Sequence, residues 1–165
     1  IAAVERLYRE RGLPPGFQLS DDDGDLQRML EARGYRPDSL TLVMTAPLAA
    51  TAAAAGMPAS PSVSVREEPD DEWLTTWWRV DGRGGTHELD VARRILTGVP
   101  ALYATAWDAR GAASVARLAL VERHGRRWGG LYAVATREDA RGRGHARSVI
   151  AALTASAAER GVTDL

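Results

Sequence analysis

The chain has 165 residues, a mass of 17.8 kDa and a net charge of −1, enough for one packed core with residues to spare. Cysteine is absent, which excludes disulfides, thiolate metal sites and thiol nucleophiles, and the histidines His87, His124 and His145 are too scattered for a metal site. The near-zero charge argues against a general affinity for nucleic acid or anionic membrane, and no apolar run is long enough to span a bilayer.

Taken in chain order, residues 1–11 read as a helix, with Val4, Leu7 and Tyr8 on one face, stopped by Gly12 and Pro14-Pro15-Gly16. Phe17–Leu19 reads as a short strand. The run Ser20 to Asp25 caps a second helix carrying Leu26, Met29 and Leu30, since it lacks the register and closing glutamate of a calcium loop. Leu40–Ala46 reads as a buried strand. Residues 47–61, rich in alanine, proline and serine, read as a linker.

A second unit then begins. Ser62–Arg66 alternates as a strand, and Glu67-Glu68-Pro69-Asp70-Asp71 opens a helix bearing Trp73, Leu74, Trp77 and Trp78. Gly82–Gly85 breaks it, and Leu89–Leu96 forms another helix. Three strands follow at short spacing: Leu102–Trp107, Val115–Glu122 and Leu131–Thr136. Their tight turns predict an antiparallel meander. A long helix from about Gly142 to Arg160 comes next, with Val162–Leu165 opening a further strand. The fold class is α/β (α+β), a mixed, largely antiparallel sheet flanked by helices over residues 62–165, preceded by a small α/β unit over residues 1–46.

The stretch that carries chemistry is Leu131-Tyr-Ala-Val-Ala-Thr-Arg-Glu-Asp-Ala-Arg-Gly-Arg-Gly-His-Ala-Arg147. A strand feeds a loop in which Gly142 and Gly144 permit conformations closed to other residues. The loop enters a helix whose first N–H groups lack intrahelical partners, a natural cradle for an anion such as pyrophosphate. Arg141, Arg143 and Arg147 add positive charge. A dinucleotide fingerprint is a poorer fit, because the third glycine is missing. A Walker loop is excluded because all 21 basic residues are arginine. That composition also points to a GC-rich, bacterial genome.

This segment resembles the acyl-CoA-binding motif of the GNAT superfamily of N-acetyltransferases, Arg/Gln-x-x-Gly-x-Gly/Ala, with Arg141, Gly144 and Ala146 at its fixed positions. The element order from Ser62 onward is also that of the GNAT fold. The resemblance implies a splayed sheet with acetyl-CoA wedged into it. Val134, Ala135 and Thr136 would pair with the pantetheine arm. The backbone of Gly142, Arg143, Gly144, His145, Ala146 and Arg147 would hold the pyrophosphate, and an N–H near Val134 would polarise the thioester carbonyl. An amine on a small molecule or peptide would attack directly, without a metal.

Within that resemblance, Glu122 is the candidate base, and Tyr132 is the residue expected to line the acceptor site. The family's acid tyrosine lies on a helix beyond the last residue of this sequence. The acidic residues Glu67 to Glu72 beside Trp73, Trp77 and Trp78 would suit a cationic amine, but they would serve equally as a helix start and a core. An alternative from another class is a module that binds or senses acyl-CoA without turnover. Residues 1–46 resemble the tail of a degenerate GNAT-like unit. The start Ile-Ala-Ala-Val-Glu has neither an initiator methionine nor a basic leader. The chain is therefore expected to be cytoplasmic and a piece of a longer protein, lacking C-terminal strands of the fold. Nothing in it indicates an oligomeric state.

Overall fold

The first periodic stretch closes as α1 (Ala2–Arg9) and the second as α2 (Gly24–Glu31) in the computed structural model, which describes residues 1–55 and 62–165. These helices belong to the first of two compact units, Ile1–Val43 and Met44–Leu165. In the first unit Leu30 is the one fully buried apolar side chain, and Met29, expected beside it, is 58% exposed. Polar and aromatic contacts do much of the joining. Arg33 donates two hydrogen bonds to Glu5, at 3.1 and 3.0 Å, and Phe17 meets Tyr35 edge-on at 5.3 Å. The bond from Arg33 holds the Glu5 carboxyl below its usual value.

The first unit contains helices but no strand, which corrects the expected α/β character of residues 1–46. Phe17–Leu19 and Leu40–Met44 have strand-like patterns but pair with no neighbouring strand, and only Ala46, at the end of the second stretch, finds a backbone partner, in Leu165. Leu40, Leu42, Val43 and Met44 are 77–89% exposed instead of buried. The expected cap of α2 also differs: Asp23 sits at the N-cap but turns back to accept the Ser20 N–H and hydroxyl, at 2.8 Å each.

The second unit opens with α3 (Leu48–Ala55), a helix where a linker was expected; residues 56–61 of that stretch lie outside the described residues. Alanine is the strongest helix former, and α3 gains a partner by packing on a later helix. Then come β1 (Val63–Arg66), α4 (Asp71–Asp81), α5 (Thr86–Leu96), β2 (Ala101–Asp108), β3 (Gly111–Arg123), β4 (Arg126–Thr136), a 3-10 turn (Glu138–Ala140) and α6 (His145–Glu159). Asp70 caps α4, its carboxylate accepting the Trp73 N–H at 2.8 Å.

The four strands form one antiparallel sheet in sequence order. Small residues on β2 and β3 let helices approach both faces. Leu102, Ala104, Ala116 and Leu118 meet Val149, Leu153 and Ala157 of α6 on one face. Tyr103, Val115 and Ala135 meet Trp73 and Leu74 of α4 on the other. The last residues tuck in beside β4. Leu165 exchanges two backbone hydrogen bonds with Ala46, at 3.0 and 2.9 Å, while Thr163 and Asp164 bond to Arg127 and Gly129. Gly129 makes room for this approach, since a Cβ there would stand 2.8 Å from Leu165.

Candidate functional site

Strand β4 is paired differently along its two edges. Its inner edge ladders with β3 on both sides of a bulge, but on its outer edge Asp164 is bridged only near Trp128. From Leu131 to Thr136 the outer edge has no strand neighbour among the described residues. The ladder also slips within this open stretch. Arg117 pairs with Tyr132 and Val115 with Ala135, so one extra residue sits in β4. This is a β-bulge at Ala133 and Val134. Ala133 takes φ +51°, an uncommon conformation for a residue with a side chain.

Beyond the bulge the ladder resumes. Arg137 donates its N–H to Ala113 at 2.9 Å. By the period of two along a strand, the Ala135 N–H therefore faces β3 and the Thr136 N–H faces the open edge, with Val134 inside the bulge just before them. Ser114, fully buried on β3, holds this end down by donating to the Ala135 carbonyl at 3.0 Å and meeting the Thr136 hydroxyl at 2.9 Å.

The chain then turns directly into the glycine loop. Gly142 and Gly144 adopt φ +74° and +84°, and nothing lies within 4 Å of a Cβ built at either. Gly144 is the N-cap of α6, with no side chain occupying the cap position. The first N–H groups of α6, those of His145 and Ala146, have no acceptor within the helix and open on a cradle. Arg141 and Arg143 are exposed beside it, and Arg141 Nε reaches back to the Thr136 carbonyl at 3.4 Å. The structure therefore brings Val134, Ala135, Thr136 and residues 141–147 to one continuous edge.

The two residues singled out as catalytic, Glu122 as base and Tyr132 at the acceptor site, are not brought together. Tyr132 lies on the open edge, 58% exposed, next to the bulge. Its ring folds back over Gly130, where an added Cβ would stand 2.5 Å from it. Glu122 pairs in register with Arg127 at the far end of the same hairpin and lies 3.9 Å from its guanidinium. Glu122 lies five residue steps along β3 from Arg117, the partner of Tyr132, a span of about 16 Å. The acidic residues near the tryptophans have structural partners. Asp70 caps α4, Glu72 accepts the Ala112 N–H at 3.0 Å, Glu67 pairs with Arg160 at 2.9 Å, and Asp71 lies 3.6 Å from Arg93.

Sequence reasoning missed the group that anchors the loop. Arg137, immediately after β4, donates to Asp108 at 2.8 Å, to Asp139 at 2.7 Å and to the Ala112 carbonyl at 3.1 Å. Arg110 closes the cluster on Asp139 at 2.6 Å. The bond from Arg137 holds the Asp139 carboxyl below its ordinary value, and the same bond raises the Arg137 guanidinium. The signal available was an Arg-x-Asp directly after a strand, opposite a turn carrying Asp108 and Arg110. Among the described residues no cluster of three or more His, Asp or Glu side chains could hold a metal ion, and no helix is long and apolar enough to cross a membrane.

An open strand edge broken by a bulge and running into a glycine-capped helix is the arrangement that the resemblance to GNAT-superfamily acetyltransferases implies. The chain belongs to the family described as "Probable histone acetyltransferase Rv0428c C-terminal", whose model matches residues 1–164. A comparison with curated proteins found no match. Among solved structures, it is similar to the glucosamine-6-phosphate N-acetyltransferase of Arabidopsis thaliana, at 12% identity over 61% of this chain and 77% of that one, with a TM-score of 0.48. It is also similar to an acetyltransferase of Trypanosoma brucei, at 15% identity over 61% and 78%, TM-score 0.48. A third is a conserved Enterococcus faecalis protein described as a "Probable N-Acyltransferase", at 16% identity over 61% of this chain and 27% of that one, TM-score 0.47.

Proposed function

We propose that the second unit transfers the acetyl group of acetyl-CoA to an amine by direct attack. The observation that carries this reading is the outer edge of β4 from Leu131 to Thr136, open among the described residues, bent by the bulge at Ala133 and Val134 and running into the glycine loop. Bound acetyl-CoA supplies a reactive acetyl thioester. The backbone of Val134 to Thr136, with the Thr136 amide outward, would hold the pantetheine arm as an added strand would. The amides of Gly142 to Arg147 would hold the pyrophosphate, with Arg141 and Arg143 beside it. Open space at both loop glycines fits a phosphate approaching the backbone.

The Val134 N–H would take up charge on the carbonyl oxygen as the acceptor nitrogen bonds to carbon and sulfur leaves as thiolate. An alkyl ammonium with a pKa near 10.4 is only about 0.1% neutral at pH 7.4, so the acceptor must lose a proton. Tyr132, exposed beside the bulge, is the side chain best placed to meet acceptor or thiolate. One observation favours binding without turnover, the second reading. Glu122, the carboxylate expected to serve as base, lies at the opposite end of the hairpin.

Release of free CoA thiol, followed with acetyl-CoA and a panel of primary amines, separates the two readings. Amine-dependent release is expected. Acetyl-CoA binding with no release from any amine would leave the binding module.

A further inference from the structure

Arg117 is the residue this account has not used. It stands in the middle of β3 in an otherwise apolar run and is only 6% exposed. Its Nε donates one long hydrogen bond, 3.4 Å, to the Tyr103 hydroxyl, and its guanidinium lies 5.9 Å from the centre of that ring. The hydroxyl already donates to the Leu96 carbonyl at 2.7 Å. No carboxylate comes within 4.0 Å of Arg117 among the described residues, and its terminal nitrogens have no hydrogen-bond partner there.

A guanidinium stays charged at any accessible pH, so burial without a counter-ion is costly unless something supplies one. The contrast with Arg137 is direct. That arginine, 23% exposed, is held by both Asp108 and Asp139. Where this chain uses a sheltered arginine to hold itself together, it provides the carboxylates.

The position of Arg117 says what would meet it. It pairs across the ladder with Tyr132, adjoining the bulge, so both side chains stand on the α4 face of the sheet. The terminal nitrogens of Arg117 keep contact with solvent, and on the same face lies a buried donor with no partner. The Trp77 indole N–H is buried with no partner, and Trp77 packs with Ala133 against the cluster that contains Tyr103. A row of rings joins the two, with Trp77 6.1 Å from Trp73 and Trp73 5.3 Å from Tyr103.

We infer that Arg117 binds an oxyanion, carboxylate or phosphate, carried by the acceptor in addition to its amine. The planar fork of a guanidinium matches the paired oxygens of either group. This rests on the transferase reading above and deepens it. It makes the preferred acceptor a zwitterionic or phosphorylated amine, not a simple polycation.

The test uses two probe pairs that differ only in the oxyanion: 2-aminoethyl phosphate against ethanolamine, and β-alanine against β-alaninamide. Affinity is measured with acetyl-CoA present, together with the nitrogen-15 signal of the Arg117 side chain, assigned by its loss in Arg117→Met. At least one pair is expected to favour the oxyanion tenfold or more and to shift that signal. The larger preference names the group. Arg117→Met should abolish the preference, and Arg117→Lys, which keeps charge but not the fork, should reduce it.

Equal binding within both pairs, or a preference that survives Arg117→Met, overturns the inference. If Arg117→Met does not fold, the signal in the unaltered protein and the Arg117→Lys ratio decide the matter. Acetyl-CoA affinity is read in the same samples. Binding of acetyl-CoA without an oxyanion preference defeats this inference alone. An Arg117-dependent preference without acetyl-CoA binding leaves the oxyanion site and defeats the transferase reading.

Discussion

Gly144 and Gly142 carry the sharpest demand that the proposed cradle places on single residues. Both have positive φ, and a methyl group at either would meet no atom of the chain. The intrinsic cost of Gly144→Ala is therefore backbone strain alone, about 1–2 kcal/mol. The added methyl would also stand where a phosphate is proposed to lie. Gly144→Ala is expected to lower stability by that amount and to weaken acetyl-CoA at least tenfold, measured by denaturant unfolding and by calorimetric titration. Tyr132 and Glu122 make a contrasting pair. Tyr132→Phe keeps the ring over Gly130 and removes the hydroxyl, and a fall in kcat of about a hundredfold is expected if it handles a proton. Glu122→Gln, remote and exposed, is expected to change kcat/KM less than about threefold and stability by no more than about 0.5 kcal/mol.

Among elements, the meander and the helix after the glycine loop were legible because short turns, alternation and a long apolar face all pointed the same way. Most of Leu40–Ala46 was misread because a strand pattern reports fitness for a sheet and cannot report whether a neighbour exists; only Ala46 finds one, in Leu165. Leu48–Ala55 was missed because a run of alanines has helix propensity but no amphipathic period to announce it. The bulge left no mark on the sequence either, since Ala133 looks like any small strand residue and its φ follows from register. Arg117 did leave one, a charge inside an apolar strand.

At the same scale, the link between the end of β4 and the β2–β3 turn is pH-sensitive. Asp139 binds Arg137 as a carboxylate, and its folded pKa is lowered. The contribution is thus complete above the ordinary carboxylate range and is lost as pH falls through the lowered value, below about 4. Acetyl-CoA affinity measured from pH 8 downward should stay level to pH 5 and weaken below 4. Asp139→Asn should show a comparable weakening at pH 7.

For the molecule as a whole, the family match spans both units, residues 1–164, while the proposed chemistry lies within Met44–Leu165. The glycine loop was legible at this scale because its spacing resembles a known motif. The strand edge that would complete the site was not, because it depends on where Val162–Leu165 lies beside β4. The most direct test of the central claim is thermal unfolding with and without acetyl-CoA, run alongside an Arg141→Glu/Gly144→Glu double variant. Acetyl-CoA at a hundred times its Kd should stabilise the protein by about 2.7 kcal/mol, a rise in Tm of roughly 5–10 °C, and the folded double variant should show none. An unshifted Tm for the intact, folded protein, or an equal shift in the double variant, would contradict acetyl-CoA binding at this edge.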